Sequence, residues 1–279
     1  MLLLLAALAC NGPESKRLDF WLGEWDVASP AGKREGFNRI TRAQDGCAVR
    51  EEWTDADGST GESLFWFDAA AKKWKQVWVA SGGQVKEKAE QPFEGGVRFE
   101  GAIDRTTLTR LPDGKVRQLI ERPSDGAKWE GIYTRRAPNP QCRNRELDFW
   151  IGDWDVVVHA QGQDARGRNR IESTFAGCVI EEHFHAEGPG DPWNGHSVSM
   201  FSNGVWRQTW VDDGGSFLAF TGGMQDGKMI LVGEAQQGAQ KRMVFSDIKR
   251  DSLHWSWERT ADGGKTWSPI MTIEYRRHM

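Results

Sequence analysis

The sequence reads LDFWLGEWDV at Leu18–Val27 and LDFWIGDWDV at Leu147–Val156. A Trp-rich phrase written twice, about one domain apart, marks a duplicated domain. In each copy Leu18, Trp21, Leu22 and Trp25 (or their counterparts) recur at helical spacing until a glycine interrupts. The pattern predicts one short helical turn followed by the first of many strands.

Further landmarks repeat in the same order. EGFNRI (Glu35–Ile40) returns as GRNRI (Gly167–Ile171), WKQVWV (Trp74–Val79) as WRQTWV (Trp206–Val211), and ERPSDGAKW (Glu121–Trp129) as ERTADGGKTW (Glu258–Trp267). The copies close on YTRR and YRR. Between the landmarks, segments of five to nine residues alternate in polarity and stop at Gly, Pro, Asn or Asp. About ten such segments per copy predict an all-β chain of two tandem antiparallel barrels, each opened by a helical turn. The expected boundaries are 10–137 and 142–279, with 138–141 as a Pro-bracketed linker.

Gly23-Glu24-Trp25 and Gly152-Asp153-Trp154 match the G-x-W signature of lipocalins and related calycins. The whole pattern resembles a bacterial family of unknown function with calycin-like barrels, carrying FWxGxW, a GC-x-x-x-E segment and a DGGxTW hairpin. The resemblance covers nearly all of both halves. It implies a barrel with an interior pocket and names no ligand.

The chain has 279 residues, a net charge of −4 and 15 Trp against two Tyr. Its charges are interspersed, so a nucleic-acid partner has no electrostatic footprint. The apolar run MLLLLAALA (1–9) is too short for a transmembrane segment and reads as the remnant of an export signal. Cys10 and Cys142 each precede an LDFW phrase, while Cys47 and Cys178 each follow a glycine. The expected disulfides are Cys10–Cys47 and Cys142–Cys178, in a periplasmic or extracellular protein. The alternative is a lipid anchor on Cys10, which would orphan Cys47.

Strand parity selects the side chains that share an inner face. In the first copy these are Asn38, Glu51, Trp53, Trp74, Gln76 and Trp78. In the second they are Asn169, Glu182, Phe184, Trp206, Gln208 and Trp210, with Ser199 beside them. Aromatic walls with a few polar groups suit a small, partly apolar molecule. The alternative is that these side chains merely fill the barrel. Ser197 and Ser199 against the bulkier Phe65 predict more room in the second copy. His183, His185 and His196 invite a metal, but parity turns the first two away from the inner face. No metal and no cofactor is therefore expected, and haem lacks an inward His. The Asp-box-like turn Thr260–Trp267 reads as a turn device and not as part of a sialidase propeller. The expected function is non-catalytic binding of a small ligand by an exported protein. The alternatives are an enzyme using Glu51 or Glu182 as general acid or base, and a filled-barrel structural or interaction module.

Overall fold

In the computed structural model, residues 10, 12–188, 192–235 and 239–278 are described. The expected export signal, 1–9, lies outside them. Contacts divide the chain into two compact units, Met1–Arg136 and Ala137–Met279. The Pro-bracketed segment 138–141 is bonded to the second unit: Asn139 N–H donates to the Ala176 carbonyl (2.9 Å).

The first unit is a closed antiparallel barrel of β1 (Gly23–Ala28), β2 (Arg34–Ala43), β3 (Ala48–Asp55), β4 (Thr60–Asp68), β5 (Lys73–Ala80), β6 (Val85–Gln91), β7 (Val97–Gly101), β8 (Arg105–Arg110), β9 (Val116–Arg122) and β10 (Ala127–Arg135). Each strand pairs with its sequence neighbours, and β1 closes on β10. The second unit repeats this with β11 (Gly152–Ala160), β12 (Gln163–Thr174), β13 (Val179–Glu187), β14 (Trp193–Ser202), β15 (Val205–Asp212), β16 (Phe217–Gln225), β17 (Lys228–Gly233), β18 (Gln240–Ser246), β19 (Ser252–Thr260) and β20 (Ser268–Arg277). Closure leaves no strand edge unpaired, which is how an all-antiparallel chain avoids edge-to-edge association.

The repeated phrase forms the closed end of each barrel. DFW is a single 3₁₀ turn at Asp19–Trp21 and at Asp148–Trp150. Trp25 and Trp154 are wholly buried, and their indole N–H groups donate to the carbonyls of Trp21 and Trp150 (2.7 Å each). Arg135 and Arg277 lie over these rings at 4.4 and 4.0 Å and bond the carbonyls of Leu22 and Ile151. The same arginines explain the glycine of the motif. Gly23 and Gly152 hold φ of 123° and 136°, and a Cβ there would stand 2.5 and 1.8 Å from the guanidinium. Only glycine tolerates both conditions.

Disulfides join Cys10 to Cys47 and Cys142 to Cys178, spanning 37 and 36 residues. Each ties the segment that enters its barrel to the β2–β3 or β12–β13 turn, and no cysteine among the described residues is free.

Candidate functional site

A cavity of about 270 Å³ opens into the second barrel, and every residue lining it belongs to that unit. Its walls are aromatic. Phe184, Trp193 and Trp210 pack edge to face with ring centres 4.8–6.0 Å apart, and Trp257 lies against both Phe220 (5.4 Å) and Trp255 (6.3 Å). Trp150, from the opening turn, and Tyr275 floor it; Asp212, Ser216 and Lys241 stand at the mouth. Local backbone makes the wall possible at Gly195, where a Cβ would come within 1.9 Å of the Trp210 ring. Trp210 is fixed from above by its indole bond to Asp212 (2.9 Å).

The polar floor is one connected set. The Asn169 amide nitrogen donates to Glu182 Oε1 (2.7 Å) and to the Tyr275 hydroxyl (3.0 Å). Ser197 donates to Glu182 Oε2 (2.6 Å), and Gln208 donates to Ser197 (3.1 Å). Burial pushes the Glu182 carboxyl up to about 7, against the opposing bonds from Ser197 and Asn169. Burial and the neighbouring Glu182 raise the Tyr275 hydroxyl well above its ordinary range, so it stays protonated and able to donate.

Of the second-copy residues expected to face a ligand, Glu182, Phe184, Gln208 and Trp210 line the cavity. The other three stand outside the lining. Asn169 sits behind Glu182 and orients it. Trp206 lies at the closed end, its indole N–H directed to Asn144 and Glu146 (3.2 and 3.3 Å). Ser199 is wholly buried.

Ser199 was expected to make room in the second barrel, and it does not itself line the cavity. The register pairs Phe65 with Val49 and Ser199 with Ile180, so Ser199 does replace Phe65, while Ser197 matches Ser63. The missing ring is supplied from β18: Trp150 packs on Phe245 (5.1 Å) as Trp21 packs on Phe65 (5.6 Å). Phe245 stands where the first barrel has Leu108, so the pair Phe65 and Leu108 is answered by Ser199 and Phe245, a ring moved to another strand with some side-chain volume lost.

The same network exists in the first barrel. Asn38 donates to Glu51 (2.7 Å) and Tyr133 (3.2 Å), Ser63 donates to Glu51 (2.6 Å), and Gln76 donates to Ser63 (3.0 Å). Trp74 reaches the Glu14 carbonyl (3.0 Å), Trp53 packs on Trp129, and Trp78 lies under Lys86. None of these first-copy residues lines the cavity. Two further side chains enter this interior. Lys88, from β6, pairs with Asp104 and donates to Thr106 (2.6 Å), and Gln118, from β9, accepts the Tyr133 hydroxyl proton. Burial again raises the Glu51 carboxyl, here opposed by Ser63, Asn38 and the charge of Lys88.

Register places Phe220 where the first barrel has Lys88, since each faces the Gln of Trp-x-Gln-x-Trp. Likewise Met243 replaces Thr106, Lys241 replaces Asp104 and Trp255 replaces Gln118. Sequence reading missed Trp193, Phe220, Met243, Trp255, Trp257 and Tyr275. A signal was present for the last: both of the chain's tyrosines fall at the same aligned place. His183 and His185 point outward, with side chains 42% and 44% exposed. His183 packs against His196 with tilted rings whose centres are 4.8 Å apart.

No family model and no curated protein matches the sequence. Among solved structures, the chain is similar to a de novo designed fluorescence-activating β-barrel (14% identity, TM-score 0.30, 48% of this chain and 99% of that one). It is also similar to EF1p2_mFAP2b bound to DFHBI (11%, 0.28, 48% and 98%). A third is a protein of unknown function from the DUF3598 family of Nostoc punctiforme (10%, 0.29, 96% and 100%). Superposition at this level has no bearing on what this chain binds.

Proposed function

We propose that this is an exported, non-catalytic binding protein of tandem calycin-like barrels, in which the second barrel holds a small, partly apolar molecule and the first is filled by its own side chains. The observation that carries this reading is the cavity itself: aromatic walls for affinity and a short polar floor for orientation. At about 270 Å³ it lies just below the roughly 300–1,000 Å³ usual for such sites, which suits an occupant of one or two rings. In the first barrel, Lys88 and Gln118 occupy the interior, which supports a packed partner unit. The two disulfides support export, since such bonds persist in oxidising compartments. Bonding of Cys10 to Cys47 favours a disulfide over a lipid on that cysteine. Among the described residues, no helix is long and apolar enough to cross a membrane.

Native mass spectrometry of the full chain after incubation with a metabolite extract tests this. One small molecule per chain is expected. Two would mean that the first barrel is also hollow, and none would leave both barrels as filled modules.

A second reading draws on one observation. A carboxyl poised near neutrality beside a cavity is suited to general acid–base work. Recovery of the bound molecule chemically unchanged after prolonged incubation speaks for binding; recovery of a product speaks for an enzyme.

A further inference from the structure

The first barrel shows what the tyrosine of the polar floor requires. Tyr133 has an acceptor for its proton, the amide oxygen of Gln118. In the second barrel Trp255 stands at that place, and the Tyr275 oxygen accepts a bond from Asn169. Its own O–H has no acceptor among the described residues. Tyr275 is 2% exposed and lines the cavity, so this donor is buried in a residue of the cavity wall. A buried donor without a partner is costly and calls for a ligand atom.

The acceptor side is parallel. In the first barrel Lys88 supplies a positive charge near Glu51. In the second, Phe220 occupies that place, and the carboxyl of Glu182 receives one bond on each oxygen, from Asn169 and Ser197. An ionised carboxylate accepts about four bonds in all, so Glu182, which lines the cavity, has capacity left. The remaining charged groups of the lining, Asp212 and Lys241, stand at the mouth, where the Lys241 ammonium is held over Trp257 at 5.7 Å. Glu182 and Tyr275 share one amide nitrogen, that of Asn169, at 2.7 and 3.0 Å. A hydrogen-bond acceptor and a hydrogen-bond donor therefore lie side by side on the floor, beneath flat aromatic walls.

We propose that the cavity selects a compact, flat heteroaromatic molecule bearing an N–H next to a carbonyl oxygen, the edge of a lactam or aryl amide, with the N–H on Glu182 and the carbonyl on Tyr275. This rests on the binding reading above and names its ligand class. The N–H and C=O of a lactam point outward from adjacent ring atoms, which matches two partners spread by a single amide group. A protonated amine lacks the acceptor that Tyr275 needs, and a simple ketone lacks the donor that Glu182 can take.

Three probes of nearly one shape separate the terms: quinolin-2-one, its N-methyl derivative, and naphthalene, which has neither donor nor acceptor. Each is titrated into the full-length protein by quenching of tryptophan fluorescence. The lactam is expected to bind about tenfold or more tightly than either analogue, as the loss of one buried hydrogen bond predicts. Tyr275→Phe is expected to weaken the lactam by about tenfold and leave naphthalene unchanged, so naphthalene also reports that the barrel is intact. Glu182→Gln is expected to narrow the gap between the lactam and its N-methyl derivative. Equal binding of all three probes overturns the lactam assignment and leaves the pocket standing. Equal weakening of lactam and naphthalene by Tyr275→Phe also overturns it. No binding of any probe up to its solubility limit overturns the binding reading with it.

Discussion

Glu51 and Glu182 hold the same place in their barrels, accept the same bonds from Asn and Ser, and sit beside the same tyrosine. What differs is the next strand. The first barrel brings Lys88 into its interior and neutralises it with Asp104; the second brings Phe220 to that place, and among the described residues the cavity lining has Lys241, at the mouth, as its cation. One scaffold thus carries either a more polar interior or a more aromatic one, and the difference lies in a few inward positions of β6, β8 and β9. The backbone, the closed end and the disulfide are common to both. The interior of a ten-stranded barrel can change in this way without altering what holds it shut.

The largest expected effect concerns that shared closed end. Trp25→Ala and Trp154→Ala should each cost about 3–5 kcal/mol, as removal of a buried aromatic does. Chemical denaturation of the full chain measures both, and a marked inequality would break the equivalence of the two ends. Deleting either disulfide, by Cys47→Ser or Cys178→Ser, should cost about 4 kcal/mol on the loop-closure account, nearly equally because the loops are 37 and 36 residues. Denaturation under non-reducing conditions reads this.

Next comes the pH response of the second barrel's carboxyl. Burial raises Glu182 from an ordinary 4.5 to about 7, so the folded state binds a proton that the unfolded chain releases. Its contribution is fully present below about 4.5 and is lost as pH rises through about 7, a fall of about 3 kcal/mol. Comparing stability against pH for wild type and Glu182→Gln isolates this, since the variant should lack that fall. A parallel curve for the two proteins would show that the carboxyl is solvated or paired. The smallest expected effect is on orientation: Gln208→Leu should weaken ligand binding by about 0.5–1.5 kcal/mol, one neutral hydrogen bond. Calorimetric titration with any ligand found bound measures it, and no change would place the ligand away from β15.

Much of this fold was legible because its signals are local. Alternation stopping at Gly and Asp marks strands, and repeated landmarks mark the copies. Parity also placed Glu182, Phe184, Gln208 and Trp210 on the inner face, where the cavity meets them. What parity could not show is depth along a strand. Trp74 and Trp206 share a face with Gln76 and Gln208 yet lie at the closed end, under the entering chain. Nor could it show Lys88. The strand VKEKAEQ is charged or polar at five of its seven positions, on both faces, so no alternation betrays which lysine turns inward. The exchange of Phe65 for Phe245 was invisible for a related reason: the two rings sit on strands far apart in sequence and meet their partners only when the barrel closes.

The disulfides have a further consequence for a chain that carries the same barrel twice. Newly made, such a chain offers β1 two similar closing partners, β10 and β20, with nearly the same terminal motif. Mispairing between copies is the characteristic hazard of tandem repeats during folding. Each bond links an entering segment to a turn only 36 or 37 residues on, within its own copy. Once formed, it keeps the opening phrase beside its own second and third strands before the distant closing strand arrives. The cross-link acts as insulation between siblings, biasing each copy to seal on itself and not on its neighbour.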